Sequence, residues 1–133
     1  MGKRTIETNQ APQAIGPYSQ ALVCDGMVYT SGQIGLNPHS GELAGDDVET
    51  QARQVMANLE AVLGEAGSFF GEVIKSTIYL TDLKDFAIVN EIYAEFFPET
   101  KPARSTVQVA ALPLGAKVEI DMIATLPDSS GAL

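Results

Sequence analysis

Apolar and polar positions switch between two periods along the 133 residues, and the switches mark the elements. Positions 3–8, 18–24, 27–32, 72–81, 102–110 and 117–124 alternate with period two or run as β-branched stretches, so each is predicted to be a strand. Asp25-Gly26 between the second and third predicts a type I′ hairpin that sets Leu22 opposite Tyr29. Tyr18, Gln20, Tyr29, Ser31 and Gln33 would then share one face near an edge, as the lining of a site or as a solvated sheet face. Val48, Ala52, Val55, Met56, Leu59, Val62, Leu63 and Ala66 recur at three- and four-residue steps and predict an amphipathic helix. Asp46 is its expected N-cap, with Glu49 in a capping-box position, and Gly67 its expected C-terminal cap. Leu83, Phe86, Val89, Tyr93, Phe96 and Phe97 predict a second helix, capped by Asp82 and stopped by Pro98. Asn90 lies off that stripe and is expected to face solvent. Positions 33–45, with Asn37-Pro38 and Ser40-Gly41, read as a surface loop.

The order β-β-β-α-β-α-β-β implies an α+β fold: a six-stranded, mostly antiparallel sheet with two helices on one face. One domain is expected over 1–133, with 127–133, rich in Ser and Gly, as a frayed tail. The last two strands, joined through Leu112-Pro113, read as an antiparallel hairpin. Keeping Val107, Val109, Val118, Ile120 and Met122 on the core face would set Arg104 opposite Asp121 and Thr106 opposite Glu119. Arg104 would then be diagonal to Glu119, as a structural ion pair or as an anion site. The uncovered face mixes these polar residues with Leu22 and Ile123, which suggests a subunit interface.

Charge narrows the classes. The chain carries 17 Asp and Glu against 8 Lys and Arg, a net charge of −9. That repels nucleic acid and anionic membrane unless a basic patch overrides it, and Lys3-Arg4 is the only adjacent basic pair. One cysteine, Cys24, excludes an intramolecular disulfide and suits a reducing, cytoplasmic setting. No secretory signal and no membrane span are expected. A lone His39 and the lack of a Cys/His cluster argue against a metal site.

Four motifs in order carry a family resemblance over about 5–124. They are Ala14-Ile15-Gly16-Pro17-Tyr18-Ser19-Gln20-Ala21; Ser31-Gly32-Gln33-Ile34 with Asn37-Pro38 and Gly41; Asp82-Leu83-Lys84-Asp85-Phe86 with Val89-Asn90 and Tyr93; and Pro102-Ala103-Arg104-Ser105 through the Leu-Pro loop to Glu119. Together they resemble the RidA family, also called YjgF/YabJ and, in older usage, L-PSP endoribonuclease or translation initiation inhibitor.

The resemblance implies a chorismate-mutase-like homotrimer with three sites in the clefts between subunits. It implies hydrolysis of 2-iminopropanoate (the imine form of 2-aminoacrylate) and 2-iminobutanoate to ammonia and 2-oxoacids. The imines are released by pyridoxal-phosphate-dependent serine and threonine dehydratases. No cofactor or metal is implied for the family itself. Arg104 matches the arginine that clamps the substrate carboxylate, and Glu119 the carboxylate that positions the attacking water. Tyr18 matches a residue covering the ligand, and Ser31 one that hydrogen-bonds near the imine. Gly32 would let the backbone approach the ligand, and Asn90 matches an asparagine near the cleft. Many bacterial members carry cysteine where this chain has Thr106, which would line the pocket without thiol chemistry. A small-carboxylate-binding regulator of the purine-gene type is the alternative. An endoribonuclease fits less well, because the chain is acidic and has no histidine pair.

Overall fold

The computed structural model describes residues 2–127, and the tail expectation for 128–133 lies outside them. The strands are β1 (Lys3–Ile6), β2 (Ala21–Cys24), β3 (Met27–Thr30), β4 (Gln33–Ile34), β5 (Val73–Leu80), β6 (Ala103–Gln108) and β7 (Val118–Thr125). The helices are α1 (Val48–Ala66) and α2 (Phe86–Glu95). The sheet runs β1-β2-β3-β7-β5-β6, with β4 also on β7, and has seven strands rather than the expected six. The extra strand, β4, lies in the segment expected to be a loop. Every pairing is antiparallel except β5 with β6.

The β2–β3 hairpin has the expected register, Leu22 opposite Tyr29. Its turn needs positive φ at both central residues, and Asp25 (52°) and Gly26 (77°) supply it. All eight stripe residues of α1 are buried in the main core with Val28, Val118, Ile120, Met122 and Ala124. Gly67 caps α1 in the left-handed conformation, as expected. The N-cap is Asp47, not Asp46: its carboxylate accepts from the Thr50 N–H at 2.9 Å. Asp82 caps a short 3₁₀ turn, Leu83–Asp85, that precedes α2. Leu83 and Phe86 are therefore exposed, while Val89, Ile92, Tyr93 and Phe97 supply the buried stripe.

The expected hairpin between β6 and β7 does not form. β5 lies between them, parallel to β6 (Ser76 opposite Arg104) and antiparallel to β7 (Tyr79 opposite Glu119). The cause is topological. A strand that returns through a helix is laid down parallel to its predecessor, so β5-α2-β6 forms one unit and β7 must take the other edge of β5. The register inferred from Val107 and Val109 fails with it: Val107 pairs Tyr79 and is exposed, and Val109 lies beyond β6 with its N–H on the Leu80 carbonyl.

Candidate active site

Reassigning β6 separates the candidate residues. On β5, Ser76, Ile78 and Leu80 are buried against the helices, and their β6 partners Arg104, Thr106 and Gln108 share that face. Lys75, Thr77 and Tyr79 point to the opposite, uncovered face, with Asp121 and Glu119 of β7 opposite Thr77 and Tyr79. Arg104 and Glu119 are thus on opposite faces of one sheet. The ion pair between them is excluded within the chain. Among the described residues the ion pairs are those of Arg53 with Glu49 and with Glu95.

Arg104 sits in a frame made by α2. Its Nη1 donates to Asn90 Oδ1 at 2.8 Å. The guanidinium carbon lies 5.1 Å from the Tyr93 ring centre and 5.5 Å from that of Phe86. Asn90 is half-buried and holds the guanidinium, so the expectation of a solvent-facing amide is corrected. Tyr93 is itself anchored, donating its hydroxyl to Ser76 Oγ at 2.8 Å. A cavity of about 400 Å³ opens beside Arg104, between Asn90, Tyr93 and Pro102. No described carboxylate neutralises the guanidinium, and one edge is spoken for by Asn90. The remaining donors suit a planar anion. Thr106, two residues on, has a buried hydroxyl without a hydrogen-bond partner.

The second group lies on the other face. A cavity of about 420 Å³ is lined by Tyr18, Ser31, Gly32, Gln33, Leu114 and Glu119, among others. β4 brings Gly32 against β7, because Ile34 is opposite Glu119. A Cβ at Gly32 would lie 2.8 Å from the Glu119 carboxyl carbon. Glycine here makes room for the carboxylate. Ser31 donates its hydroxyl to the Ser19 carbonyl at 2.6 Å, so its oxygen is left to accept. Tyr18 is half-exposed at the rim, its hydroxyl 3.5 Å from the Ile15 N–H.

Burial, and then the charge of Asp121, hold the Glu119 carboxyl above its ordinary range. Burial likewise raises Asp121, offset by the Tyr79 hydroxyl that donates to it at 3.2 Å. Glu119 can therefore exchange protons nearer neutral pH than a solvated glutamate.

Three buried amides hold this second cavity: Gln20, which the hairpin register had placed on a possible site face, and Gln51 and Asn58, which the sequence pattern did not single out. Gln20 bridges the 8–12 segment through Thr8 N (2.7 Å) and the carbonyls of Thr8 and Pro12. Asn58 donates from α1 to the carbonyls of Ile34 and Leu36. Gln51 donates to the Gly45 carbonyl and accepts from Lys117 N–H, two residues before Glu119. Gln51 and Asn58 sit among the apolar stripe positions of α1, and a polar residue on a buried stripe, which must find partners there, was the available signal. Among the described residues no group of three or more His, Cys, Asp or Glu could hold a metal ion, and no helix is long and apolar enough to cross a membrane.

The family described as Endoribonuclease L-PSP matches residues 8–126. The chain belongs to this family, the RidA family. It is 51% identical over 124 residues to Reactive Intermediate Deaminase A, chloroplastic, of Arabidopsis thaliana, an alignment covering 93% of this chain and 66% of that protein. It is 48% identical over 122 residues to the 2-iminobutanoate/2-iminopropanoate deaminase of Homo sapiens, covering 92% and 89%. Among solved structures it resembles E. coli TdcF with bound serine, with a TM-score of 0.88 and 48% identity over 92% of this chain and 98% of that one. The RidA-family fold, two helices on a mostly antiparallel sheet, is the one described above.

Proposed function

We propose that this RidA-family chain is a deaminase of 2-iminopropanoate and 2-iminobutanoate that works as a homotrimer, with each active site shared between two copies. One observation carries the reading: Arg104 and Glu119 face opposite sides of the sheet, each beside an open cavity of similar size. A carboxylate clamp and a proton-exchanging carboxylate can serve one substrate only if Arg104 of one copy meets Glu119 of the next. The uncovered sheet face, with exposed Tyr29 and Val107, supports such packing. The deaminase names of the plant and human relatives, and the serine bound by TdcF, support a small amino- or imino-acid ligand.

In this reading the Arg104 guanidinium binds the substrate carboxylate and Asn90 keeps it oriented. Glu119 takes a proton from a water as its oxygen attacks C2 of the imine. That proton passes to the nitrogen to give a tetrahedral aminoalcohol; its hydroxyl proton then moves through Glu119 to the nitrogen, the C–N bond breaks, and ammonia leaves as C2 becomes the carbonyl of a 2-oxoacid. Tyr18 covers the ligand, Ser31 and Gly32 line it, and Thr106 completes the wall beside Arg104. The chemistry requires no cofactor. The imines would come from pyridoxal-phosphate-dependent serine or threonine dehydratases, and one cysteine suits a reducing cytoplasmic setting. An endoribonuclease is disfavoured by the net charge of −9 and by a single, exposed histidine, His39. The test is to add the protein to a threonine dehydratase and follow the imine. Faster appearance of 2-oxobutanoate supports the reading, and an unchanged rate with a binding signal favours the regulator.

A further inference from the structure

Leu114 holds a left-handed backbone conformation, φ 58° and ψ 24°, in the turn Pro113–Gly115. That region is costly for a residue with a branched side chain and open to glycine or asparagine. Packing does not compensate within the chain, since Leu114 is 61% exposed. Strain without local reward is a mark of a residue kept for what its side chain reaches.

What it reaches is the Glu119 cavity. Ile34 and Leu36, which line the same cavity, form a small apolar cluster with Ala116, packed by Leu43 and Leu112. Ile15, 75% exposed, is also part of the wall. The cavity therefore offers Ser31 and Glu119 for the polar end of a ligand and a run of aliphatic side chains for something else. A methyl or ethyl group fills little of that aliphatic wall.

We propose that Leu114 is a specificity-determining residue that contacts the alkyl side chain of the imino acid, and that the enzyme favours apolar side chains longer than ethyl. The proposal rests on the deaminase reading and extends its substrates beyond the methyl and ethyl imines to longer apolar ones. Loss of one or two methylene contacts in an apolar pocket changes discrimination about tenfold or more. Such imines arise by oxidation of the α-amine of an apolar amino acid, not by β-elimination.

The experiment generates the imines of alanine, 2-aminobutyrate and leucine with an amino-acid oxidase. It measures kcat/KM for each with the wild-type protein, Leu114→Gly and Leu114→Asn. Both variants suit the left-handed backbone and remove Leu114's share of the aliphatic wall. The wild type should prefer the leucine imine, and the leucine-to-alanine ratio should fall about tenfold in both variants, with assembly mass unchanged. A ratio that stays at the wild-type value overturns the proposal. So does loss of activity on all three imines together with a change in assembly mass, which would make Leu114 a contact between copies. A wild type that hydrolyses none of the imines refutes the deaminase reading itself, a result distinct from an unchanged ratio.

Discussion

Gly32 and Glu119 occupy space that a single added carbon would contest. A Cβ on Gly32 would stand 2.8 Å from the Glu119 carboxyl carbon and 3.0 Å from its Cγ. The contested atoms are the far end of a flexible side chain, so Gly32→Ala has an inexpensive escape: the carboxylate swings away. Stability should drop by no more than ~1 kcal/mol, the range of a tolerated substitution. Deaminase kcat should fall at least tenfold, because the proton acceptor has left its place. Calorimetry and steady-state kinetics on one preparation separate the two effects, and wild-type kcat would show that the position of Glu119 does not matter.

The elevated carboxyl of Glu119 sets a pH dependence with a defined sign. A carboxyl held above its unfolded value binds its proton more tightly when folded. Its stabilising contribution is present at acid pH and is lost as pH rises through the folded value. Glu119→Gln should therefore raise the thermal midpoint at pH 7 to 8, and the gain should vanish below about pH 4, where the native residue is protonated in both states. In the wild type, the acid limb of kcat/KM should lie above the ordinary glutamate range. A midpoint difference that grows toward acid would contradict the assignment.

Arg104 tests recognition apart from folding. Arg104→Ala loses one hydrogen bond to Asn90 and two ring contacts, together about 1–2 kcal/mol. It should lose two orders of magnitude or more in kcat/KM, since a charge pair to the substrate carboxylate contributes ~2–5 kcal/mol when desolvated. Arg104→Lys keeps the charge but not the two-point geometry and should remain badly impaired. Asn90→Ala should mainly raise KM, by leaving the guanidinium free to rotate. A folded Arg104→Ala protein with wild-type turnover would remove the clamp from the mechanism.

Thr106 carries a buried hydroxyl with no partner. Thr106→Val replaces it with an apolar group of the same shape and should be neutral or stabilising by up to ~1 kcal/mol. Most deaminase activity should survive in Thr106→Val and Thr106→Ser. Loss in the valine variant with retention in serine, at equal thermal midpoints, would mean that the hydroxyl contacts substrate.

The first helix and the first hairpin were legible because their signals are local. The α1 stripe, Gly67 and Asp25-Gly26 each act within a few residues, and each falls where pattern put it. The partner of β6 was not legible. Alternation fixes the side-chain period of a strand but not which neighbour it takes, and only the β5-α2-β6 crossover decides that. The site inherits the same limit. Motif resemblance singled out Arg104 and Glu119, but their separation to opposite faces follows from inserting β5 between their strands. Asn90 looked solvated because its partner comes from a strand reached only in three dimensions. Ser31 was expected to bond near the imine, and its proton is already held by Ser19.

The central claim is that one copy supplies Arg104 and its neighbour supplies Glu119. Co-expression of Arg104→Ala and Glu119→Gln chains, each inactive alone, tests it most directly, with native mass spectrometry to verify mixed trimers. In a ring of head-to-tail contacts a site is intact when an Arg104-bearing chain precedes a Glu119-bearing one, so random mixing should restore about a quarter of wild-type kcat. Mixed trimers with no activity beyond that of the separate variants would contradict a shared site.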